Sequence, residues 1–596
     1  SHLSSIALLY FPTGGGKTEA FLGVLVFNLF FDRHRGKRCG VTSILRYPLR
    51  LLSVQQIQRL ANILAQAELI RRVDPSITQT EEFSLGYFVG DNNTPNSMNA
   101  KEYARYREMT QTQRDEHRIL DLCPFCGKTT VHLDAVEEIG RLVHYCDNPD
   151  CLSGRILPIY VVDTEIYRYL PSAIISTVDK FAIIGCNANF RNVLNGAEYK
   201  CPIHGYTSKR KCIDSNCKFE ADRFEQVDMY DPAPTLFIQD ELHLMRESLG
   251  AYASHYESFI EYYVKHFSKS KRDLKVIGAT ATISSYREQV YHLYGRDPIR
   301  FPCESPFINK NFYAKVDDTD LQRQILGYAP YGKAIVNSVV YSLKYMREAV
   351  HEYYHDPSKV LAIPGIGIET TEEALEILKD YWIFLEYNNV KRDGNNVDGA
   401  IKTPVNEELA AAGIIQFKTR AMTGDESFQD VREVLAEVEN SKDVYDGVNL
   451  ITATNMISHG VDADRFNIMF FYGIPGNMAE YIQAYSRTGR KHTSIVIDLI
   501  RPSRETDLSY LKNFTNIHKY KDLLVEPVPI NRWATKAVDT TLPGIFTGLL
   551  LTVYDPELQY SPGTLFFMKN IRKAIKNGLL NKDTIKDQLY HAFGCT

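Results

Sequence analysis

Pro12-Thr13-Gly14-Gly15-Gly16-Lys17-Thr18 follows an apolar run at residues 5–11 and leads into apolar sequence through Phe31. Three consecutive glycines let backbone N–H groups approach phosphate oxygens without Cβ clashes. Lys17 is placed to neutralise β- and γ-phosphates and the Thr18 hydroxyl to ligate magnesium, with the positive end of the following helix aimed at the anion. Thr13, Gly14, Gly15, Gly16, Lys17 and Thr18 are thus the candidate nucleotide-binding residues. A strand, a loop and a helix in this order predict a parallel sheet covered on both faces.

The same alternation continues outward. Residues 41–47 read as a strand, and residues 50–70 carry Leu52, Ile57, Leu60, Ile63 and Leu64 at helical spacing. Strands are expected again at 173–176, 235–238 and 275–278. The apolar run at 235–238 ends in Asp240-Glu241-Leu242-His243. A carboxylate at the end of a buried strand can hold magnesium, and its neighbour can orient or deprotonate a water. Asp240 is assigned the first role and Glu241 the second. A second series of strands and helices runs over about 360–499, with strands at 448–452 and 467–472. The polar, Asn/Asp/Gly-rich residues 388–407 read as a loop. From about residue 511 the chain is mixed and partly helical.

The chain has 596 residues, 44% of them hydrophobic and 24% charged, which fits a globular protein of two to four domains. No uninterrupted apolar run reaches the roughly 18 residues of a membrane span, so no membrane partner and a cytoplasmic location are expected. A net charge of −5 does not exclude nucleic acid, because a local basic groove suffices. No leader is visible ahead of the glycine loop, and the abrupt start and end suggest a fragment of a longer protein.

Eleven cysteines are present. Cys123, Cys126, Cys146 and Cys151 form one four-thiolate set; Cys201, His204, Cys212 and Cys217 form a set of three thiolates and one imidazole. Both spacings suit closed tetrahedral zinc, so two structural zinc ions are expected. Cys39, Cys186, Cys303 and Cys595 read as ordinary thiols. Lys209-Arg210-Lys211 beside the second set reads as a solvated charged loop.

Gln483-Ala484-Tyr485-Ser486-Arg487-Thr488-Gly489-Arg490 puts two arginines three residues apart, on one face of a helix. Guanidinium forks suit the charge that develops on a γ-phosphate. Taken together, these segments resemble the motifs of superfamily 2 helicases of the DExH type. The glycine loop resembles motif I in its helicase variant, since Phe11 stands where the general pattern has glycine. Tyr47-Pro48-Leu49-Arg50 with Gln55-Gln56 resembles motif Ia. Ser176-Thr177-Val178-Asp179-Lys180 resembles the motif that grips the nucleic-acid backbone. Gly278-Ala279-Thr280-Ala281-Thr282 resembles motif III, and Thr454 with Ser458-His459-Gly460-Val461-Asp462 resembles motif V. The 483–490 stretch resembles motif VI, while motif IV is poorly matched near 360–368.

The resemblance implies an α/β fold of two tandem RecA-like domains, parallel sheets flanked by helices. The first would span 1–310 with a zinc-binding insertion at 120–220 and the second 311–510, followed by a small, mostly helical extension over 511–596. It implies ATP and magnesium as cofactors, with Gly460, Asp462 and Gln483 also serving the nucleotide and Arg487 and Arg490 acting as arginine fingers. Arg50, Thr177 and Thr454 would touch a nucleic-acid backbone. Flanking sequence, including residues 514–518, 525–529 and Leu542-Pro543-Gly544, resembles the helicase subunits of DISARM phage-defence systems. Defence helicases of the Druantia type and repair helicases with a cysteine-rich C-terminal module are close competitors. That resemblance implies DNA with a single-stranded end, together with a protein partner in a defence complex. RNA in place of DNA, or an ATP-switched scaffold that does not unwind, remain open at this point. No carboxylate cluster has nuclease spacing.

Overall fold

The computed structural model describes all residues except 1–3, 12–14, 49, 91–94, 215, 230–233, 268–270, 282–283, 308–309, 314, 316, 318, 424–427, 441–446, 456–464 and 596; at 50–52, 54, 55, 428, 429, 432 and 440 it describes the backbone alone. The chain divides into two compact units, one formed by Ser1–Pro306 and Pro527–Thr596, the other by Phe307–Glu526.

The first unit contains β1 (Ile6–Tyr10), β2 (Ser43–Tyr47), β3 (Leu85–Phe88), β4 (Val131–Val136), β5 (Arg141–Cys146), β6 (Ile159–Tyr160), β7 (Ala173–Thr177), β8 (Tyr199–Cys201), β9 (Gly205–Thr207), β10 (Glu225–Gln226), β11 (Leu236–Gln239), β12 (Lys275–Thr280) and β13 (Pro298–Phe301). Eight of these form one sheet in the order β13-β1-β12-β11-β2-β7-β3-β6, with every neighbouring pair parallel. Period-two alternation gives the sheet two apolar faces. Ile6, Leu8, Ile44, Ile174, Phe237 and Val276 lie in one core, and Leu45, Tyr47, Ile175, Ile238 and Ala279 in the other. Helix Lys17–His34 buries Phe21, Leu22, Leu25 and Leu29 in the second core. Each such side chain is worth about 1.5–3 kcal/mol relative to an exposed one.

The cysteine-rich region is not one insertion over 120–220. The main-sheet strands β6 and β7 lie inside that span, so two separate excursions leave the sheet. The first is built on the antiparallel pair β4–β5 between β3 and β6, and the second on the antiparallel sheet β10-β8-β9 between β7 and β11. The apolar strand Ala173-Ile174-Ile175 is buried between β2 and β3 and cannot be given up to a surface module.

The C-terminal residues divide as well. The expected extension over 511–596 does not stand apart, because residues from Pro527 onward pack into the first unit. Helix Thr535–Leu549 and the π-turn after it place Ile545, Leu549 and Leu550 in the core that holds Phe259, Ile260 and Val264 of helix Glu247–His266. His255 ties the layers together, its Nε2–H donating to the Arg532 carbonyl at 2.7 Å and its Nδ1 lying 2.7 Å from Thr541 Oγ1. Burial holds its pKa at about 4, so the ring is neutral. By length and composition alone the helical run Thr535–Glu557 could cross a membrane, but more than half of it is buried in this core.

The second unit contains β14 (Arg323–Tyr328), β15 (Phe384–Asn388), β16 (Thr419–Met422), β17 (Leu450–Ala453), β18 (Ile468–Tyr472) and β19 (Ser494–Leu499). They form a six-stranded sheet in the order β14-β19-β18-β15-β17-β16, again parallel throughout. The expected loop over 388–407 is instead helix Lys391–Ala400, a π-turn Ile401–Val405 and the start of helix Asn406–Ala411. Its Asn, Asp and Gly residues conceal a stripe at every fourth position, Val397, Ile401, Val405 and Leu409, all buried in the core that also holds Phe384 of β15 and Leu450 of β17.

Candidate functional site

A parallel sheet brings the carboxyl ends of its strands to one edge, where α/β folds hold ligands. In the first unit β1 leads there into the glycine loop, β11 into Asp240, and β12 ends at Thr280. Gly16 takes φ +77° as the N-terminal cap of helix Lys17–His34, a conformation that L-residues rarely adopt. The Lys17 ammonium then lies 3.2 Å from Asp240 Oδ1 and 3.1 Å from Glu241 Oε1. All three side chains are largely buried, with exposures of 12%, 7% and 18%. Burial disfavours the charged amine, but the two carboxylates outweigh it and hold the Lys17 pKa above its ordinary value. Burial pushes the Asp240 carboxyl up; Lys17 opposes this and Glu241 adds to it.

One ammonium against two carboxylates leaves the cluster one negative charge in excess. That excess, and the hard carboxylate oxygens of Asp240, fit a divalent cation such as magnesium. Glu241 takes φ +46°, a strained conformation for a residue with a Cβ, and its backbone N–H donates to Asp240 Oδ1 at 2.8 Å. His243 is buried, with Nδ1 3.1 Å from Thr280 Oγ1 and 3.4 Å from Glu241 Oε2. The acidic box is therefore wired to the end of β12, in the segment that resembles motif III.

Sequence reasoning missed several supporting residues. Tyr47 is fully buried at the end of β2, and burial, followed by the Asp240 and Glu241 carboxylates, drives its phenol pKa well above the ordinary value. Gln239 Nε2 donates to the Asp240 carbonyl at 3.0 Å and fixes the strand end. Gln289 Nε2 donates to the carbonyls of Leu242 and Met245 at 2.9 and 3.0 Å, holding the tight turn that carries His243. No spacing marks Gln289, which stands far along the chain.

Other expected residues fall differently. Thr177 is buried at the end of β7, 1% exposed, with Oγ1 closed off from solvent, so its hydroxyl is not offered at the surface. Lys180 of the same motif is committed to Asp163 at 2.7 Å and Asn96 at 3.1 Å. Thr13, Gly14, Gly460 and Asp462 lie outside the described residues, and Arg50 is described by its backbone alone, at the start of helix Arg50–Val73.

In the second unit Thr454 is half-buried just past β17, its N–H donating to the Met422 carbonyl at 3.2 Å. Gln483 is buried in helix Met478–Tyr485. Arg487 and Arg490 do not share a helix face as expected: the helix ends at Tyr485, and both, half-buried, stand in the turn between it and β19. They therefore belong to the amino end of this sheet, opposite the edge that carries Thr454. Burial lowers the Arg490 pKa. The loop is shaped by two unforeseen features. Arg323 donates to the carbonyls of Tyr485, Ser486 and Thr488 at 3.2, 3.2 and 2.9 Å, meeting the negative end of the helix with a cation. Gly489 takes φ +72°, and a Cβ there would lie 2.6 Å from the Gln322 carbonyl oxygen.

Both cysteine sets converge, the ligand atoms of each lying within 4.8 Å of one another. Cys123–Cys151, Cys126–Cys146 and Cys201–Cys217 sulfur pairs are 3.6, 3.8 and 3.8 Å apart. A tetrahedron with bonds of about 2.3 Å has edges of about 3.8 Å, so both sets could hold a metal such as zinc. Gly127 at φ +70° closes the first knuckle, its N–H donating to the Cys123 carbonyl at 2.8 Å. Arg168 braces the two sets together, reaching Gly140 O at 2.5 Å in the first and Asp214 Oδ2 at 3.1 Å in the second.

Known proteins agree with this architecture. The model of the helicase conserved C-terminal domain matches residues 393–492. The chain is 30% identical to DISARM protein DrmA of Bacillus paralicheniformis over 623 residues, covering 98% of this chain and 53% of that protein. Among solved structures, DUF1998 helicase MrfA bound to DNA and AMPPNP superposes with a TM-score of 0.52 at 13% identity, over 91% of this chain and 52% of that one. Helicase Lhr of Mycobacterium smegmatis, bound to ssDNA and AMP-PNP, gives 0.50 at 13% identity, over 99% of this chain and 51% of that one. The chain thus spans about half the length of the relatives it matches. The acidic box, the two parallel sheets and this relative fit a helicase of the DExH type, and the chain resembles DrmA.

Proposed function

We propose that the chain is the motor core of an ATP-dependent DNA helicase or translocase that works in phage defence with a protein partner. The observation that carries this reading is the buried cluster of Lys17, Asp240 and Glu241 at the carboxyl edge of a parallel sheet. Lys17 binds the β- and γ-phosphates of ATP, and Gly15 and Gly16 let backbone approach them. Asp240 and Thr18 would hold magnesium, which supplies charge neutralisation on the phosphates. Glu241 orients and deprotonates the attacking water. His243, bonded to Thr280, carries the change at the acidic box into β12. Arg487 and Arg490, on a loop set by Arg323 and Gly489, are assigned to the charge that develops on the γ-phosphate. The two metal sets are assigned to structural zinc, since four protein ligands leave no open position.

DNA is preferred because the MrfA and Lhr structures compared above are bound to DNA. The test is ATP hydrolysis by the chain with a panel of DNA and RNA ends, with Lys17→Ala as the inactive control. Stimulation by single-stranded DNA is expected; stimulation by RNA alone would replace the substrate. Displacement of a strand from a forked duplex separates a helicase from an ATP-driven switch, which would hydrolyse without displacing.

A further inference from the structure

Residues 558–582 contain five cations and no anion, in a chain whose net charge is −5. Four of them, Lys569, Arg572, Lys573 and Lys576, stand on helix Met568–Lys576. At about 100° per residue they share an arc of about 100° on its exposed side. The opposite side, Ile571 and Ala574, is buried in the first unit's core. The four cations make like-charged neighbours at 569/572, 569/573, 572/576 and 573/576, each of which disfavours the helix. None of the four forms an ion pair among the described residues; only the negative end of the helix, near Lys573 and Lys576, partly offsets that repulsion. Immediately ahead of the helix, Phe566 and Phe567 are 48% and 64% exposed, their rings 5.9 Å apart and perpendicular. Met568 beside them is 55% exposed.

We propose that this face, the basic arc together with Phe566 and Phe567, is a second binding surface for a single nucleic-acid strand, separate from the segments at the sheet edge. It rests on the nucleic-acid reading given above. A row of cations meets phosphates, and exposed aromatic rings stack on unpaired bases; the combination is that of sequence-tolerant single-strand binders. An anionic membrane would also meet the charge. A helix that lies in a bilayer interface must insert its apolar side, however, and here that side is consumed by the protein core. The surface belongs to the same compact unit as Lys17, so a strand held there is fixed to the nucleotide-binding unit.

The test is fluorescence anisotropy of a labelled 20-nucleotide oligo-dT with the 596-residue chain over a range of salt. Single-strand binding loses about 0.7 in log K per log salt for each phosphate neutralised. The triple variant R572Q/K573Q/K576Q should therefore flatten the slope by about 2 and weaken binding at least tenfold at low salt. The variant F566A/F567A should weaken binding about 5- to 100-fold with the slope unchanged. Basal ATP hydrolysis and thermal unfolding should match wild type in both, which excludes misfolding. If wild type binds and both variants bind equally well with the same slope, this surface is not a strand-binding site, while the motor reading stands. If wild type binds no oligonucleotide, both readings fall. If the variants lose only binding to phosphatidylserine vesicles, the partner is a lipid surface and the inference is overturned.

Discussion

Lys17→Met keeps the side-chain length and removes the charge. In the native site the ammonium offsets two carboxylates at 3.2 and 3.1 Å; in the variant both remain, 7% and 18% exposed. Breaking a buried ion pair by removing one partner costs about 3–5 kcal/mol, and the partial exposure of Glu241 puts this site near the lower end, at about 3 kcal/mol. Protonation recovers part of that loss. The Asp240 carboxyl already stands above its ordinary value through burial, with Lys17 opposing, so without Lys17 it climbs further. A carboxyl raised in the folded state binds its proton preferentially there. Its contribution is fully present below the unfolded pKa of about 3.9 and is lost as pH rises through the folded pKa. The deficit of the variant relative to wild type should therefore be smaller at about pH 5 than at about pH 8. Thermal unfolding midpoints of both proteins at the two pH values measure this. Added magnesium should narrow the gap at the higher pH, because the variant site carries two unneutralised charges. An identical deficit at both pH values, unmoved by magnesium, would refute the electrostatic account of the cluster.

Three further outcomes are expected. Glu241→Gln should retain nucleotide binding and lower single-turnover hydrolysis about 10²–10⁴-fold; a loss below tenfold would remove Glu241 as the base. Metal analysis of the purified chain should find two zinc ions, and Cys201→Ser should release one of them, whereas a metal-free wild type would leave both cysteine sets as thiols. Burial raises the Asp498 carboxyl to about 7, with Tyr481 bonded to it at 2.6 Å. Its stabilising contribution to the second unit should thus be present in acid and lost as pH rises through about 7, and Asp498→Asn should flatten that dependence of the unfolding midpoint.

The meeting of Lys17 with Asp240 and Glu241 was legible because these residues sit in short motifs at strand ends, and the Lys17–Glu241 contact joins positions 224 apart in the chain. The cysteine sets were legible from ligand spacing, but their division into two excursions was not, since β6 has only two residues. The helix over 391–400 was hidden by polar composition, its apolar residues being too sparse to outvote Asn, Asp and Gly. The burial of the Thr177 hydroxyl was not legible, because a motif names a residue without saying whether its side chain faces solvent. Arg323 and Gln289 act through backbone carbonyls, which any sequence provides, so nothing in the local pattern announces them.

The return of residues 527–596 to the first unit sets an order of assembly. Ile545, Leu549, Leu550 and Ile571 complete a core that they share with residues made hundreds of positions earlier, among them Phe259, Ile260 and Val264. On the ribosome, residues 307–526 must emerge in between, which takes roughly 10–45 s at about 5–20 residues per second. The nascent first unit waits through that interval with its apolar layer of Phe259, Ile260 and Val264 uncovered. The second unit, continuous in sequence, can close while its neighbour is still unfinished. Truncation before the final helices would then yield a chain with an intact nucleotide loop and a sticky open flank, a product fit for chaperones and proteases rather than for work.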